Sequence, residues 1–389
     1  MNDRAVAVFE KYDFELFGTR KGRGMLIAGT DQGEVALKEY RGSQEKLEWQ
    51  EAFTNSLKKE GFPTVDGLFR DKEGNLVVRD YEGTCYIVKE FLAGKECNVM
   101  DLMECTKAAA QIARMHLVMR QMMEKPLFIR RIVQEEEPEE AQTLNETPIS
   151  KETQDSEEDV VVEKKPVRYE QIPVEEVEML RDMMNRTRPG FILYESAKRK
   201  SELVRARQFI RRQSSKNDFD LLFLKEFDRF FKQAESADAY LSHEEYQILE
   251  EKVKNEKLHC HGDCNHHNIL FSQGQIFIQN LEKCRPDLQM KDLYLFVRKV
   301  CEKNQWSILF ATACVDAYQK VLPLSKEELK YLYTRFWYPE KFWKIANGYM
   351  NHKKSLPPRR QKEKLQALLE KEPERMTFLE NFQKYYEIQ

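Results

Sequence analysis

The chain has 389 residues, 41% of them hydrophobic and 33% charged, and a net charge of only −3. That length allows two or three domains or one two-lobed enzyme. The balanced charge gives no reason to expect nucleic-acid binding, and no run approaches the roughly 18 apolar residues a membrane helix needs. The N-terminus carries no signal-peptide pattern, so a soluble protein made and kept inside a cell is expected. The eight cysteines are scattered through the chain, as reduced thiols would be. Cys260 and Cys264 lie among His259, His261, His266 and His267. No second Cys/His pair follows at zinc-finger spacing, so structural zinc is not expected.

The first quarter reads as strands and turns around one helix. Gly18, Gly22 and Gly24 precede a first strand, Met25-Leu-Ile-Ala28, and Gly29 to Gly33 forms a turn cluster. A second strand, Glu34 to Glu39, then completes a hairpin. Glu45 to Lys59 places Leu47, Trp49, Ala52, Phe53 and Leu57 near a 3.6 period, which predicts a helix. Short strands follow over residues 67–70, 75–79 and 84–92. From Asn98 the pattern turns helical. Residues 134–165 are dominated by Glu and predict a disordered acidic insertion. Lys198, Arg199, Lys200, Arg205, Arg207, Arg211 and Arg212 form a basic helical stretch, read as a solvated face. Residues 218–256 read as helical, 258–280 as a loop and hairpin, and 293–322, 326–335 and 340–350 as helices. The layout is α+β, with a strand-rich lobe over 1–92 and a helical lobe over 93–389.

The chemistry-bearing segment is His261-Gly-Asp-Cys-Asn-His-His-Asn268. Phosphoryl transfer needs a base or orienting group, metal ligands, a cation on the phosphates and a cover over them. Asp263 suits the first role. Asn268, five residues on, has the spacing of a kinase catalytic-loop metal ligand. The loop, with Ile269-Leu-Phe271 after it, resembles the aminoglycoside phosphotransferase and choline kinase group. Trp337-Tyr-Pro-Glu-Lys-Phe-Trp343 and Lys291-Asp-Leu-Tyr-Leu-Phe-Val-Arg-Lys-Val300 resemble, more narrowly, the CotS family of spore-coat proteins in that superfamily.

The resemblance implies a two-lobed, protein-kinase-like fold of the aminoglycoside phosphotransferase type, with ATP and Mg2+ as cofactors. It implies the spore coat as location, and other coat proteins or a small hydroxylated molecule as partners. Asp263 would be catalytic. Lys38, in Val35-Ala-Leu-Lys38, is close to the strand-lysine pattern that contacts phosphates, with Glu48 or Glu51 as its partner. Asn268, Asn280 and Glu282 would face the metal. In active relatives an Asp ligates magnesium at the position Asn280 occupies, and an amide brings no negative charge. Weak or lost phosphotransfer is therefore expected, as in a pseudokinase. An active small-molecule kinase, or a coat-assembly scaffold with the acidic insertion as docking arm, are the alternatives. His261 is expected to brace the loop, Asp292 to cap a helix, and His116 to pack or hydrogen-bond at a helix end.

Overall fold

The computed structural model describes residues 3–124, 129–131, 169–173, 175–176, 178, 192–351 and 358–388. The acidic insertion at 134–165 lies outside the described residues. The chain forms two compact units. The first takes in Met1–Ser56, Asp66–Leu92 and Leu127–Glu176, and the second Leu57–Val65, Ala93–Pro126 and Val177–Gln389.

The first unit is built on an antiparallel sheet. Its strands are β1 (Leu16–Gly22), β2 (Met25–Thr30), β3 (Gly33–Glu39), β4 (Leu68–Phe69), β5 (Val78–Arg79) and β6 (Cys85–Glu90). The order is β1-β2-β3-β6-β4, with β5 also pairing β6. The glycine-containing segment before Met25 is therefore itself a strand, which corrects the expected start of the sheet. Gly24, at φ 72°, makes its hairpin turn.

Alternation along β3 sends Val35 and Leu37 into a core with Leu26, Ala28 and Val88, as a pleated strand requires. Ala36 and Lys38 take the opposite side, opposite Lys89 and Ile87 of β6. Ile87 packs there with Leu47 of α2 (Gln44–Lys59) and with Leu68 and Leu76. Five apolar side chains of α2 are buried at helical spacing, and the Trp49 and Phe53 rings stack at 4.6 Å.

The second unit is largely helical. Helix α3 (Leu102–Glu124) buries Ala109, Ile112, Ala113 and Met115. After it come α4 (Ile192–Arg212), α5 (Asp218–Tyr240) and α6 (His243–Asn255). The expected single run over 218–256 is thus two helices. Ser242 caps the second, accepting from Glu245 N while Glu245 accepts from Ser242 N, a reciprocal arrangement that restarts a helix where one has ended. Phe219, Phe223, Phe227 and Phe230 form a buried stripe on α5. Each is worth about 1.5–3 kcal/mol of burial. The stripe packs on Leu203 and Ile210 of α4 and on Phe342 and Tyr349. The basic stretch on α4 is only partly solvated. Lys200 pairs with Asp238 at 2.6 Å, and Arg207 with Asp228 at 3.0 Å while lying over Phe227.

A small sheet in this unit joins β7 (Lys95–Glu96), β11 (Ile269–Ser272) and β12 (Gln275–Ile278) in the order β12-β11-β7. Here β10 (His259–Cys260) also pairs with β13 (Arg285–Pro286), while β8 (Ile129–Arg131) and β9 (Tyr169–Gln171) pair within the first unit. The chain closes with α7 (Met290–Lys303), α8 (Ile308–Gln319), α9 (Lys326–Trp337), α10 (Glu340–Asn351), α11 (Pro358–Glu370) and α12 (Glu372–Tyr385). The expected helix over 293–322 is broken between α7 and α8, where Gln305 and Trp306 both take positive φ. None of the described helices is long and apolar enough to cross a membrane.

Candidate functional site

The β11–β12 hairpin sets the site. Its turn residues Gln273 and Gly274 both have positive φ, 47° and 78°, which matches the right-handed twist of the two strands. Ile269 pairs with Ile278, so the residues flanking the ladder, Asn268 and Asn280, emerge side by side. Asn280 Nδ2 donates to Asn268 Oδ1 at 2.8 Å. Asn280 itself sits at φ 69° and ψ 55°, a left-handed conformation that Asn tolerates better than most residues. Asn268 Nδ2 in turn donates to the Asp263 carbonyl at 2.8 Å. The three residues therefore form one hydrogen-bonded chain, and Glu282 follows in the 3-10 turn Leu281–Lys283.

Both carboxylate oxygens of Asp263 are engaged. Oδ1 accepts from Asn265 Nδ2 at 3.0 Å, and Oδ2 from Lys283 Nζ at 2.8 Å. The ion pair is weak in effect. Its side chains are 61% and 37% exposed, and an exposed pair is worth at most about 1 kcal/mol. A substrate hydroxyl can displace the ammonium at that cost.

The loop is anchored from below by a buried carboxylate. Asp292 Oδ2 accepts from His261 N at 2.5 Å and Oδ1 from Gly262 N at 2.9 Å. His116 Nε2 lies 3.0 Å from Asp292 Oδ2, and His116 Nδ1 lies 2.8 Å from the Tyr318 hydroxyl. His116 and Asp292 are both 0% exposed. Burial pushes the imidazole below its ordinary value, so the ring is neutral. Nε2–H then donates to Asp292, and Tyr318 O–H donates to Nδ1. Burial alone would raise the Asp292 carboxyl. The hydrogen bond from His116 and those from the loop backbone outweigh it and hold the group below the usual carboxylate range.

Asp292 is therefore not a helix cap. Gln289 occupies that position on α7, without a side-chain bond. Nor is His116 at a helix end, since it lies well inside α3. His261 does brace the loop, with Nε2 donating to Gln279 O at 2.9 Å and Nδ1 accepting from Asp263 N at 3.1 Å. Gly262 has φ 80°, and a Cβ there would meet Lys283 O at 2.3 Å, so the loop needs glycine at this point.

In the first unit, Lys38 is half-buried on β3. Glu48 and Glu51 share a partner that sequence patterns gave no sign of, Arg70. Its Nε donates to Glu51 Oε1 at 3.1 Å, its Nη2 to Glu48 Oε2 at 2.5 Å and also to Glu51 Oε2, and its Nη1 to Gly74 O at 2.7 Å. Two carboxylates on a single guanidinium fix the face of α2 that looks toward β4.

The residues expected to face magnesium are poor donors for it. Asn268 and Asn280 are neutral amides already bonded to one another, and Glu282 is the sole carboxylate of the set. Magnesium is usually held by one or two carboxylates with substrate phosphates. Among the described residues no group of three or more His, Cys, Asp or Glu is arranged to hold a metal. The set does not fit a protein-held magnesium of the usual kind.

Comparison with known proteins bears on the family and the fold. A family model described as phosphotransferase enzyme family matches residues 25–278. A second, described as spore coat putative kinase YutH, matches residues 197–382. The chain is 25% identical over 170 residues to spore coat protein S of Bacillus subtilis (strain 168), which covers 43% of this chain and 48% of that protein. It thus spans about half the length of the curated relative it matches. The resemblance to the spore-coat branch, drawn from the Lys291–Val300 segment and the C-terminal aromatic segment, is borne out, as is the wider one drawn from the loop. Among solved structures, an aminoglycoside phosphotransferase from Alicyclobacillus acidocaldarius has a TM-score of 0.71 at 18% identity, covering 98% of this chain and 96% of that one. Spectinomycin phosphotransferase, solved with ADP and spectinomycin, has a TM-score of 0.51 at 12% identity, covering 94% and 92%. The α+β fold is the protein-kinase-like fold of the aminoglycoside phosphotransferases.

Proposed function

We propose that this chain, which belongs to the phosphotransferase enzyme family, is a kinase-like spore-coat protein that binds a nucleotide and transfers its phosphate weakly or not at all. One observation carries the reading. At the point where an anionic metal ligand is expected, Asn280 donates to Asn268 Oδ1, so two neutral amides satisfy each other. Metal-ion stabilisation of a transferring phosphoryl group is worth several kcal/mol. Losing the protein charge that positions the ion removes a large share of the rate without disturbing the loop. The spore coat as the place of action is supported by the likeness to spore coat protein S.

The chain's own residues still suit a binding role. Lys38 would meet the phosphates from β3. The loop is rigid, pinned by Asp292 beneath and by His261 from the side. A second reading, an active small-molecule kinase, is favoured by Asp263, whose carboxylate is held only by weak, displaceable partners.

ATP turnover with a panel of sugars and amino alcohols tests the choice. Wild type is expected to be near background, Asp263→Asn the same, and Asn280→Asp faster than wild type by about 100-fold, equivalent to about 2.7 kcal/mol of barrier. Robust wild-type turnover that Asp263→Asn abolishes would sink the proposal and favour the active kinase.

A further inference from the structure

Four cysteines that are scattered in the sequence converge in the second unit. Cys97 lies just after β7, Cys105 near the start of α3, Cys301 on α7 and Cys314 on α8. All four are free thiols and buried, Cys97 at 2% exposure and the others at 0%. The segment between the first two folds back on itself. Asp101 N donates to Asn98 O at 3.0 Å, and Asn98 N donates to Glu104 Oε2 at 2.7 Å. That turn sets Cys105 Sγ 3.8 Å from Asn98 O. The Cys105 sulfur accepts hydrogen bonds from the Cys97 and Cys314 thiols. Cys301 stands close enough to act on Cys105 and Cys314 electrostatically.

A buried thiol is ordinarily inert, because burial opposes the thiolate that reacts. Cys264 is such a thiol. Burial and the carboxylates of Asp292 and Asp263 push it well above its ordinary value. Cys105 differs. The hydrogen bonds from Cys314 and Cys97 hold it below its ordinary value, against burial and the carboxylates of Asp101 and Glu104. The cluster also lies close to solvent. Glu96 and Asn98, on either side of Cys97, are exposed, and Met100 and Met103 are 58% and 64% exposed. Cys97 therefore sits one residue beneath the surface, within reach of a small oxidant.

Two thiols compete for Cys105. A disulfide needs close Cα atoms and Cβ bonds turned toward each other. Cys314 is fixed inside α8. Cys97 lies outside helix and strand, so its backbone has the freedom to adjust. Its position also ties it to the candidate site. Cys97 N donates to Ile269 O at 2.9 Å, and β7 pairs with β11 at Leu270 and Phe271.

We propose that Cys97 and Cys105 form an oxidative modification site, at which hydrogen peroxide closes a disulfide that straps the end of β7 to α3. The Cys105 thiolate attacks one peroxide oxygen. An S–O bond forms, the O–O bond breaks, and the departing hydroxide takes up the proton that Cys105 released and leaves as water. The Cys97 thiol then attacks the sulfenic sulfur, the S–S bond forms, and the S–O bond breaks with loss of a second water. Two thiols and one peroxide give one disulfide and two waters. The strap holds the strand beside the β11–β12 hairpin against α3. It does not depend on the nucleotide reading.

The test treats the folded chain with hydrogen peroxide and then alkylates it in denaturant. Trypsin leaves both cysteines in one peptide, Glu96–Lys107. That peptide is expected to lose both alkylation sites together, at least about tenfold faster than Cys264 loses its own, and to regain them after dithiothreitol. Oxidation of Met100 and Met103 in the same peptide survives dithiothreitol and reports that the oxidant arrived. Cys97→Ser and Cys105→Ser should each abolish the paired loss, whereas Cys85→Ser, in the first unit, should leave it intact. The wild-type peptide map decides the matter even where serine at these buried positions impairs folding. Oxidation should also slow amide hydrogen exchange over residues 95–97 and 269–271 by at least about threefold. The proposal is overturned if Cys105 bridges to Cys314 instead, or if both sites stay alkylatable at a peroxide concentration that oxidises Met103. Paired loss that appears only after circular dichroism shows unfolding, or exchange that does not slow, also overturns it.

Discussion

Asp292→Ala is expected to lower the unfolding free energy by about 3–5 kcal/mol, the cost of breaking a fully buried charged network by deleting one member. The substitution strands the backbone N–H groups of His261 and Gly262 and the His116 imidazole in a dry interior. Each buried donor left unsatisfied costs about 1–3 kcal/mol, so the sum is consistent with the network figure. Asp292→Asn keeps an acceptor and loses the charge, and should fall between wild type and Ala. Urea unfolding followed by circular dichroism reads the difference. An Asp292→Ala protein that unfolds at the wild-type midpoint would show that the loop is held by something else. Because Gly262 is threaded against the Lys283 carbonyl, loosening Asp292 should also weaken ligand binding at the loop.

The second large effect is expected at Glu340, in the aromatic C-terminal segment. Its carboxylate, 5% exposed, is the meeting point of Arg335, Lys344, Tyr294 and the more distant Arg199. Arg335 is itself 6% exposed. Glu340→Ala leaves that guanidinium without its closest carboxylate and should cost about 3–5 kcal/mol.

The pH dependence follows from the same contacts. Burial would raise the Glu340 carboxyl, but Arg335, then Lys344 and Arg199, hold it well below the usual range. A folded value below the unfolded one means the native state keeps its carboxylate when the unfolded chain takes a proton. The stabilisation is complete above the unfolded value, about 4.3 for Glu. It is lost as pH falls from about 5 toward the folded value. Glu340→Gln should therefore be less stable than wild type at pH 7, yet lose less on acidification between pH 5 and 3. Parallel stability–pH curves for the two proteins would contradict this.

These two residues also mark what could be read from the sequence. The loop over 261–268 was legible as a unit because its residues are contiguous, and the structure joins them by hydrogen bonds. Asp292 looked like a helix cap because an Asp before Leu293 and a helical apolar pattern is what a cap looks like. Its true partners lie 31 and 30 residues back in the loop, and further still at His116. Arg70 was invisible for the same reason, since nothing in spacing ties residue 70 to Glu48 and Glu51. The family-like Trp337-Tyr-Pro-Glu-Lys341 run stands out in the sequence for its rings. Two of them, Trp337 and Trp343, are only partly buried, while the Glu340 carboxylate is the group that ties the segment together.

Other misses had signals. Ser242 and Glu245 spell a capping box, as do Ser325 and Glu328, and the first of these would have split the run over 218–256. Leu365 and Leu368, then Phe378, Leu379 and Phe382, are buried at helical spacing on α11 and α12, and Pro373 stands near the start of α12, where proline suits a helix. The break between α7 and α8 had no such signal. Gln305 and Trp306 adopt positive φ where glycine would normally announce it. Lys283 on Asp263 was hidden by a 20-residue separation.

The central claim is that the neutral Asn268–Asn280 pair leaves the proposed nucleotide site short of the carboxylate charge that usually holds magnesium, with Glu282 the one carboxylate of the set. The direct measurement is ATP affinity by titration calorimetry in excess Mg2+ and in excess EDTA, for wild type and Asn280→Asp. The expected result is a wild-type affinity that changes by less than about threefold between the two conditions. Asn280→Asp should gain at least about tenfold from Mg2+, the equivalent of about 1.4 kcal/mol. A wild-type protein that binds ATP only with Mg2+, at an affinity Asn280→Asp does not improve, would contradict the account.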